Sequence, residues 1–189
     1  YDNKKFMNIL NVEPRLAERV FIINGVSKAF SMTGWRIGYG AGDEKIIKAI
    51  NKIQSQSTTN PASICQYAAV KALSEEKVFL DDWLSQFCDR RDYVCDFIKS
   101  TNGLKCIKPE GAFYLFISCK KYINKISPDK KKIFNDVDFS SLLLNFGNVA
   151  VVPGMAFGAS PYFRISYAAS MELLKTSCER IEKALKLLE

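Results

Sequence analysis

The apolar positions fall into short runs of strand type and longer stretches at helical spacing. Val20-Phe21-Ile22-Ile23 is a run of β-formers and predicts a buried strand leading into a glycine-marked loop. Trp35 to Tyr39 predicts the next strand, closing on Gly40 and Gly42. Asp43 is placed to cap a helix running to Ser55, with Ile46, Ile47, Ile50 and Ile53 at helical spacing. A polar link over 54–60 follows, and Pro61 predicts the start of a second helix reaching Leu73. The longest helical pattern covers 78–100, with Phe79, Leu80, Trp83, Leu84, Phe87, Val94 and Phe97 supplying its apolar face. A helix of that length either bridges two domains or lies along a single core, and the pattern fits both.

Beyond a helix stop at Asn102-Gly103 the texture changes. Residues 104–107 and 109–117 read as strand, turn, strand. Residues 138–146 predict a short helix with Asp138 as its cap. Val149-Ala150-Val151-Val152 ends in the turn Pro153-Gly154, and 162–168 is a strand carrying one charge, Arg164. Ser170 then opens a terminal helix with Leu173, Leu174, Ile181, Leu185 and Leu188 spaced for one buried face. The order of elements is α/β in the first part and α+β in the second. The change is placed inside the long helix, giving units of 1–90 and 91–189.

Composition narrows the function classes. The 189 residues are 48% hydrophobic, enough for one sizeable core or two small ones, and 25% charged, as expected of a soluble globular chain. The sequence holds no apolar run long enough to span a bilayer, and Tyr1-Asp2-Asn3-Lys4-Lys5 is neither a signal peptide nor a membrane span. A cytoplasmic protein with no membrane partner is expected, and a start at Tyr1 rather than Met reads as the interior of a longer protein. The net charge of +7 raises nucleic acid as a partner. Much of the excess lies over 105–132, where lysines flank a polar segment; a solvated loop is the better reading, so no nucleic-acid partner is expected. The six cysteines form no C-x-x-C pair and there is no histidine, which removes mixed zinc sites and histidine-dependent nucleophilic catalysis within the chain. No metal is expected, the cysteines read as reduced and mostly buried, and Lys28 is left as an acid-base group.

Lys28 stands in the loop between the first two predicted strands, next to Ser27 and eight positions before Arg36. A lysine amine forms a Schiff base with an aldehyde only when unprotonated, and its ordinary pKa is ~10.4. A nearby cation such as Arg36, and desolvation by Phe30, Met32 and Trp35, would both favour the free amine. A hydroxyl and a guanidinium are also natural phosphate ligands. The competing reading is a solvated loop lysine beside a structural arginine. Arg164, between Phe163 and Ile165, needs an anion if buried: either a structural ion pair or a bound ligand.

The whole segment Ser27-Lys28-Ala29-Phe30-Ser31-Met32-Thr33-Gly34-Trp35-Arg36-Ile37-Gly38-Tyr39 closely resembles the pyridoxal-phosphate attachment site of class I and II aminotransferases, the bacterial-type aspartate aminotransferase branch in particular. Pro109-Glu110-Gly111-Ala112-Phe113-Tyr114 is similar to a segment of the same enzymes where the small domain faces the active site. Val151-Val152-Pro153-Gly154, Phe157-Gly158 and Phe163-Arg164-Ile165-Ser166-Tyr167-Ala168 resemble their C-terminal signature, in the same order.

The resemblance implies the C-terminal part of a fold type I transferase: the end of a large α/β domain, a long linking helix and an α+β small domain. It implies pyridoxal 5′-phosphate as cofactor, Lys28 as the Schiff-base lysine and catalytic base, and Ser27 and Arg36 as holders of the cofactor phosphate. Arg164 would grip the substrate α-carboxylate, and Thr58 and Asn60 lie in a segment near the phosphate and the dimer interface, where a capping role is the alternative. Amino acid and 2-oxo acid substrates, aspartate with 2-oxoglutarate, and a homodimer in the intact enzyme follow by the same resemblance. The family's upstream half carries a glycine-containing phosphate loop, a ring stacked on the cofactor, an Asn and a Tyr at its oxygen and an Asp at its pyridine nitrogen. None maps onto this chain, which alone is therefore expected to transaminate little or not at all. A lyase or synthase of the same fold, a non-enzymatic basic binding module and an inert remnant remain as alternatives.

Overall fold

A computed structural model of the chain describes residues 1–75 and 79–188; Val78, where the long helix is expected to begin, lies outside them. Contacts divide the chain into two units, Lys5–Lys77 and the combination of Tyr1–Lys4 with Val78–Glu189. The division falls ahead of the long helix, whereas the sequence pattern put the change of domain within it, at residue 90.

The first unit is built on a hairpin. Helix α1 (Ile9–Val12) and a 3-10 turn (Pro14–Arg19) precede β1 (Ile22–Gly25), which pairs antiparallel with β2 (Gly38–Ala41). The expected second strand is displaced: Trp35 ends a 3-10 turn and pairing begins only at Gly38. Asp43 caps α2 (Glu44–Gln54) as its position predicts, accepting from the Lys45 and Ile46 amides, and α3 is Ser63–Ser74. The expectation of a buried first strand fails, since Ile23 is 83% exposed. The isoleucine stripe of α2 is likewise open at Ile46, Ile50 and Ile53. Among the described residues, the only hydrophobic side chains this unit buries are Val26 and Ala69. One two-stranded ribbon does not supply enough facing surface to cover two helices.

The second unit is a four-stranded antiparallel sheet with helices. Helix α4 (Phe79–Ser100) leads to β3 (Lys105–Cys106) and β4 (Tyr114–Ser118), then come α5 (Asp136–Gly147), β5 (Val152–Pro153), β6 (Tyr162–Ser166) and α6 (Met171–Lys186). The strand order is β3-β4-β6-β5. Alternation along the strands puts Leu115, Ile117 and Phe163, all fully buried, into one core with Val94 and Ile98 of α4, Phe139 and Leu143 of α5, and Leu174 and Ile181 of α6. Burying each such side chain contributes roughly 2 kcal/mol. Phe87 packs on Phe113 and Tyr167 at ring centroid separations of 6.1 and 6.3 Å, so the first half of α4 belongs to this core too. Two expectations are corrected. Asn135, not Asp138, caps α5 by accepting from the Val137 and Asp138 amides, while Asp138 accepts from the Phe134 amide just before the cap. In α6, Leu173 is exposed, and Cys178 and Ala184 complete the buried stripe. Among the described residues no helix is long and apolar enough to cross a membrane.

The largest fully buried side chain is a charged one, Arg91 of α4. Its guanidinium meets both oxygens of Asp2 at 2.8 Å, Asp92 at 2.8 Å and the Pro109 carbonyl at 3.1 Å. Four hydrogen bonds satisfy the desolvated fork, so the charge is tolerated. The Arg91 hydrogen bonds hold Asp2 below the usual carboxylate range. Burial pushes Asp92 up, but bonds from Arg91 and Lys108 outweigh it and leave Asp92 low as well. Both carboxylates therefore ionise at lower pH folded than unfolded. Their contribution is complete above about pH 4 and is lost as pH falls through the folded values. Arg91→Ala is expected to cost about 3 kcal/mol in urea unfolding and to flatten the acid limb of the stability profile, both measured by circular dichroism.

Candidate active site

Backbone pairing sets the geometry around Lys28. Gly25 pairs with Gly38 as the last rung of the hairpin, so 26–37 is a closed loop with Ser27 and Lys28 just after one strand and Arg36 just before the other. Both glycines make the rung a close approach: a Cβ on Gly25 would lie 3.2 Å from the Ile37 oxygen, and one on Gly38 3.1 Å from the Asn24 oxygen, so the facing backbone would have to give by a few tenths of an ångström. Inside the loop the Phe30 amide donates to Val26 and the Ser31 amide to Lys28, forming a turn that holds Lys28 at the surface beside the buried Val26. Arg36 is left-handed, at φ 52° and ψ 48°, a conformation costly for a side chain with a Cβ, and its guanidinium donates to the Thr33 oxygen at 3.0 Å. Of the side chains expected to desolvate the lysine, Trp35 is 40% exposed while Phe30 and Met32 are half-buried.

Ser27, Lys28 and Arg36 are thus brought onto one loop. Arg36 also lines an open groove of about 770 Å³ with Thr58 and Asn60. Thr58 donates to the Gln54 side chain and Asn60 to the Pro61 oxygen, so both serve the turn after α2 rather than an N-cap. As a donor set the loop fits pyridoxal phosphate: a primary amine for an aldehyde, and a hydroxyl and a guanidinium for a phosphate.

Arg164 lies in the other unit. Phe163 points into the core, so Arg164 points to the opposite sheet face, paired across the sheet with Phe116 and Val152. Its guanidinium sits 4.2 Å from the Tyr114 ring centroid and 4.6 Å from that of Phe157. Among the described residues it has no carboxylate partner. The structural ion pair weighed from sequence is therefore not formed there. Aromatic rings attract a cation without neutralising it, which leaves its N–H donors for an anion.

A buried carboxylate holds this arrangement. Asp136 at the start of α5 accepts from the Met155 amide and the Ser160 hydroxyl, each at 2.6 Å, pinning both ends of the turn that carries Phe157. Gly154 opens that turn where a Cβ would collide with the Ala159 oxygen. The sequence pattern missed Asp136, and the missed signal is Asn135: an N-cap there makes the next residue the first of the helix.

The family described as aminotransferase class I and II matches residues 1–181. The crystal structure of an aspartate aminotransferase from Rhizobium meliloti superposes with a TM-score of 0.96 at 47% identity, covering all of this chain and 47% of that one. An aromatic aminotransferase from Pyrococcus horikoshii gives 0.87 at 36% identity, covering 98% and 48%. The architecture is that of the C-terminal part of a fold type I α/β transferase. A relative from Rickettsia bellii named probable aspartate/prephenate aminotransferase is 50% identical over 97% of the chain, and over 46% of its own length. The chain belongs to the class I and II aminotransferases, and it spans about half the length of the relatives it matches.

Replacing Asp136 by Ala leaves the Met155 amide and the Ser160 hydroxyl unpaired, at an expected cost of about 2–3 kcal/mol. Asp136→Asn, which keeps one acceptor oxygen, is expected to lose less. Urea midpoints of the two variants against the parent chain check the order; equal midpoints for all three would contradict it.

Proposed function

We propose that this chain supplies the lysine, the phosphate anchor and the carboxylate clamp of a pyridoxal-phosphate-dependent aminotransferase acting on aspartate and 2-oxoglutarate. One observation carries the reading: the Arg164 guanidinium, set against the rings of Tyr114 and Phe157, has no carboxylate partner among the described residues. The loop shared by Ser27, Lys28 and Arg36 supports it, as do relatives named aspartate aminotransferase. The unit around Lys28 would be the end of the large cofactor-binding domain, and the sheet unit the small domain.

The Ser27 hydroxyl and the Arg36 fork would hold the cofactor phosphate. Lys28 would hold the cofactor aldehyde through Nζ, and its free amine would take the proton from the substrate Cα as a base and later give it up as an acid. Arg164 grips the α-carboxylate with two parallel N–H donors, which stops the substrate rotating while the proton moves. Bound to these groups, the cofactor would supply the electron sink for the charge left at Cα. Homodimer assembly and a cytoplasmic setting belong to the same reading.

In a complete enzyme containing this chain, Lys28→Ala is expected to abolish covalent retention of the cofactor after borohydride reduction, read by intact mass. Arg164→Ala is expected to keep that retention and raise the KM for aspartate by 10²-fold or more, about 3 kcal/mol of lost charged hydrogen bonding. Retention without Lys28, or an unchanged KM without Arg164, would remove the assignment. With pyridoxal phosphate added, the 189-residue chain alone is expected to show little or no amino-group exchange between aspartate and 2-oxoglutarate; robust turnover would contradict this.

A further inference from the structure

The turn between β5 and β6 has little apolar packing to seat it. Met155, Ala156, Phe157 and Gly158 are all exposed, Phe157 by 49%. Bonds from the Gly158 amide to the Met155 oxygen and from the Ala159 amide to the Gly154 oxygen fix the shape of the turn, but they lie within it and do not place it. Placement comes from Asp136. One carboxylate oxygen accepts from the Met155 amide near the start of the turn, and the other from the Ser160 hydroxyl at its end. Asp136 is itself fully buried on α5, a helix rooted in the core through Phe139 and Leu143.

The turn so placed forms one wall of the carboxylate clamp. The Phe157 ring centroid lies 4.6 Å from the Arg164 guanidinium, and Phe157 meets Phe116 edge to face at 6.1 Å. Val152, on the strand entering the turn, pairs with Arg164, on the strand leaving it, which brings the turn back to the guanidinium. A ring held against a long, flexible side chain removes rotamers before a ligand arrives, so less ordering is left for binding to impose.

We propose that Asp136 is a positioning residue for α-carboxylate recognition: through the Met155 amide and the Ser160 hydroxyl it holds Phe157 where that ring preorganises Arg164. The proposal rests on Arg164 being the carboxylate clamp and adds a separate claim, that a buried group which never meets the ligand sets the affinity of the clamp. Its chemistry suits that task. An ionised carboxylate offers an acceptor to each of the two donors, whereas an amide of the same size offers one oxygen and turns N–H groups toward the other donor. Asp136→Asn therefore frees one end of the turn without opening a cavity.

The test is steady-state kinetics on a complete enzyme containing this chain, with aspartate and 2-oxoglutarate varied separately. Both substrates carry a carboxylate on the reacting carbon, so Asp136→Asn is expected to raise both KM values about tenfold while kcat stays within about twofold of the parent. Ser160→Ala, which removes one of the two donors, is expected to raise both by less. In an Arg164→Ala background, Asp136→Asn is expected to add nothing to the loss in kcat/KM, because the group it positions is gone. A merely structural role would instead lower kcat, and would do so whichever residue stands at 164. If Asp136→Asn does not fold, Ser160→Ala and Phe157→Leu carry the same comparison. A raised KM in Arg164→Ala with unchanged KM values in the other variants would overturn the positioning role and leave the clamp standing, as would an equal loss from Asp136→Asn with and without Arg164. An unchanged KM in Arg164→Ala would overturn the clamp itself.

Discussion

The pairing of β4 with β6 is the constraint on which the better-packed unit depends. Side chains alternate across a strand, so one register sends Leu115, Ile117 and Phe163 into the core and sends Tyr114, Phe116 and Arg164 to the other face. Slipping the register by one residue would bury a guanidinium under three helices and expose a phenylalanine. The apolar side thereby fixes the polar side. The energy that buries Phe163 also sets the direction of Arg164, without any polar contact made for that purpose.

Charge inside this unit is handled in two ways. Arg91 and Asp136 are fully buried and supplied with partners: Asp2, Asp92 and the Pro109 carbonyl for the first, the Met155 amide and the Ser160 hydroxyl for the second. Each ties together segments distant in sequence, so the cost of desolvation is offset by fixing chain paths that apolar contacts leave undetermined. Arg164 is only half-buried and is given aromatic faces instead of an acid. Rings hold a cation without neutralising it, which suits a group whose counter-ion arrives from outside.

Much of this was legible in the residues. Asp43 marked a helix start because its short carboxylate suits an N-cap, and the period of the last helix located most of its buried side. The order of Ser27, Lys28 and Arg36 between two strand-like runs announced the loop that β1 and β2 close. Burial in the first unit was not legible, because periodicity reports which side of an element is apolar and not whether anything covers it. The cap of α5 was missed by competition: Asn135 and Asp138 both suit a cap, and geometry gave the cap to Asn135 and left Asp138 to the preceding amide.

The Gly25–Gly38 rung has a consequence for how such a segment can change over time. Because the rung closes the loop at both ends, the placement of an amine after one strand and a guanidinium before the other is a matter of how many residues lie between them. Side chains such as Ala29, Ser31 or Thr33 can be exchanged with little effect on that placement. An insertion or deletion cannot, since it shifts one functional group against the other. Drift in this segment is therefore expected to run through substitution at constant length.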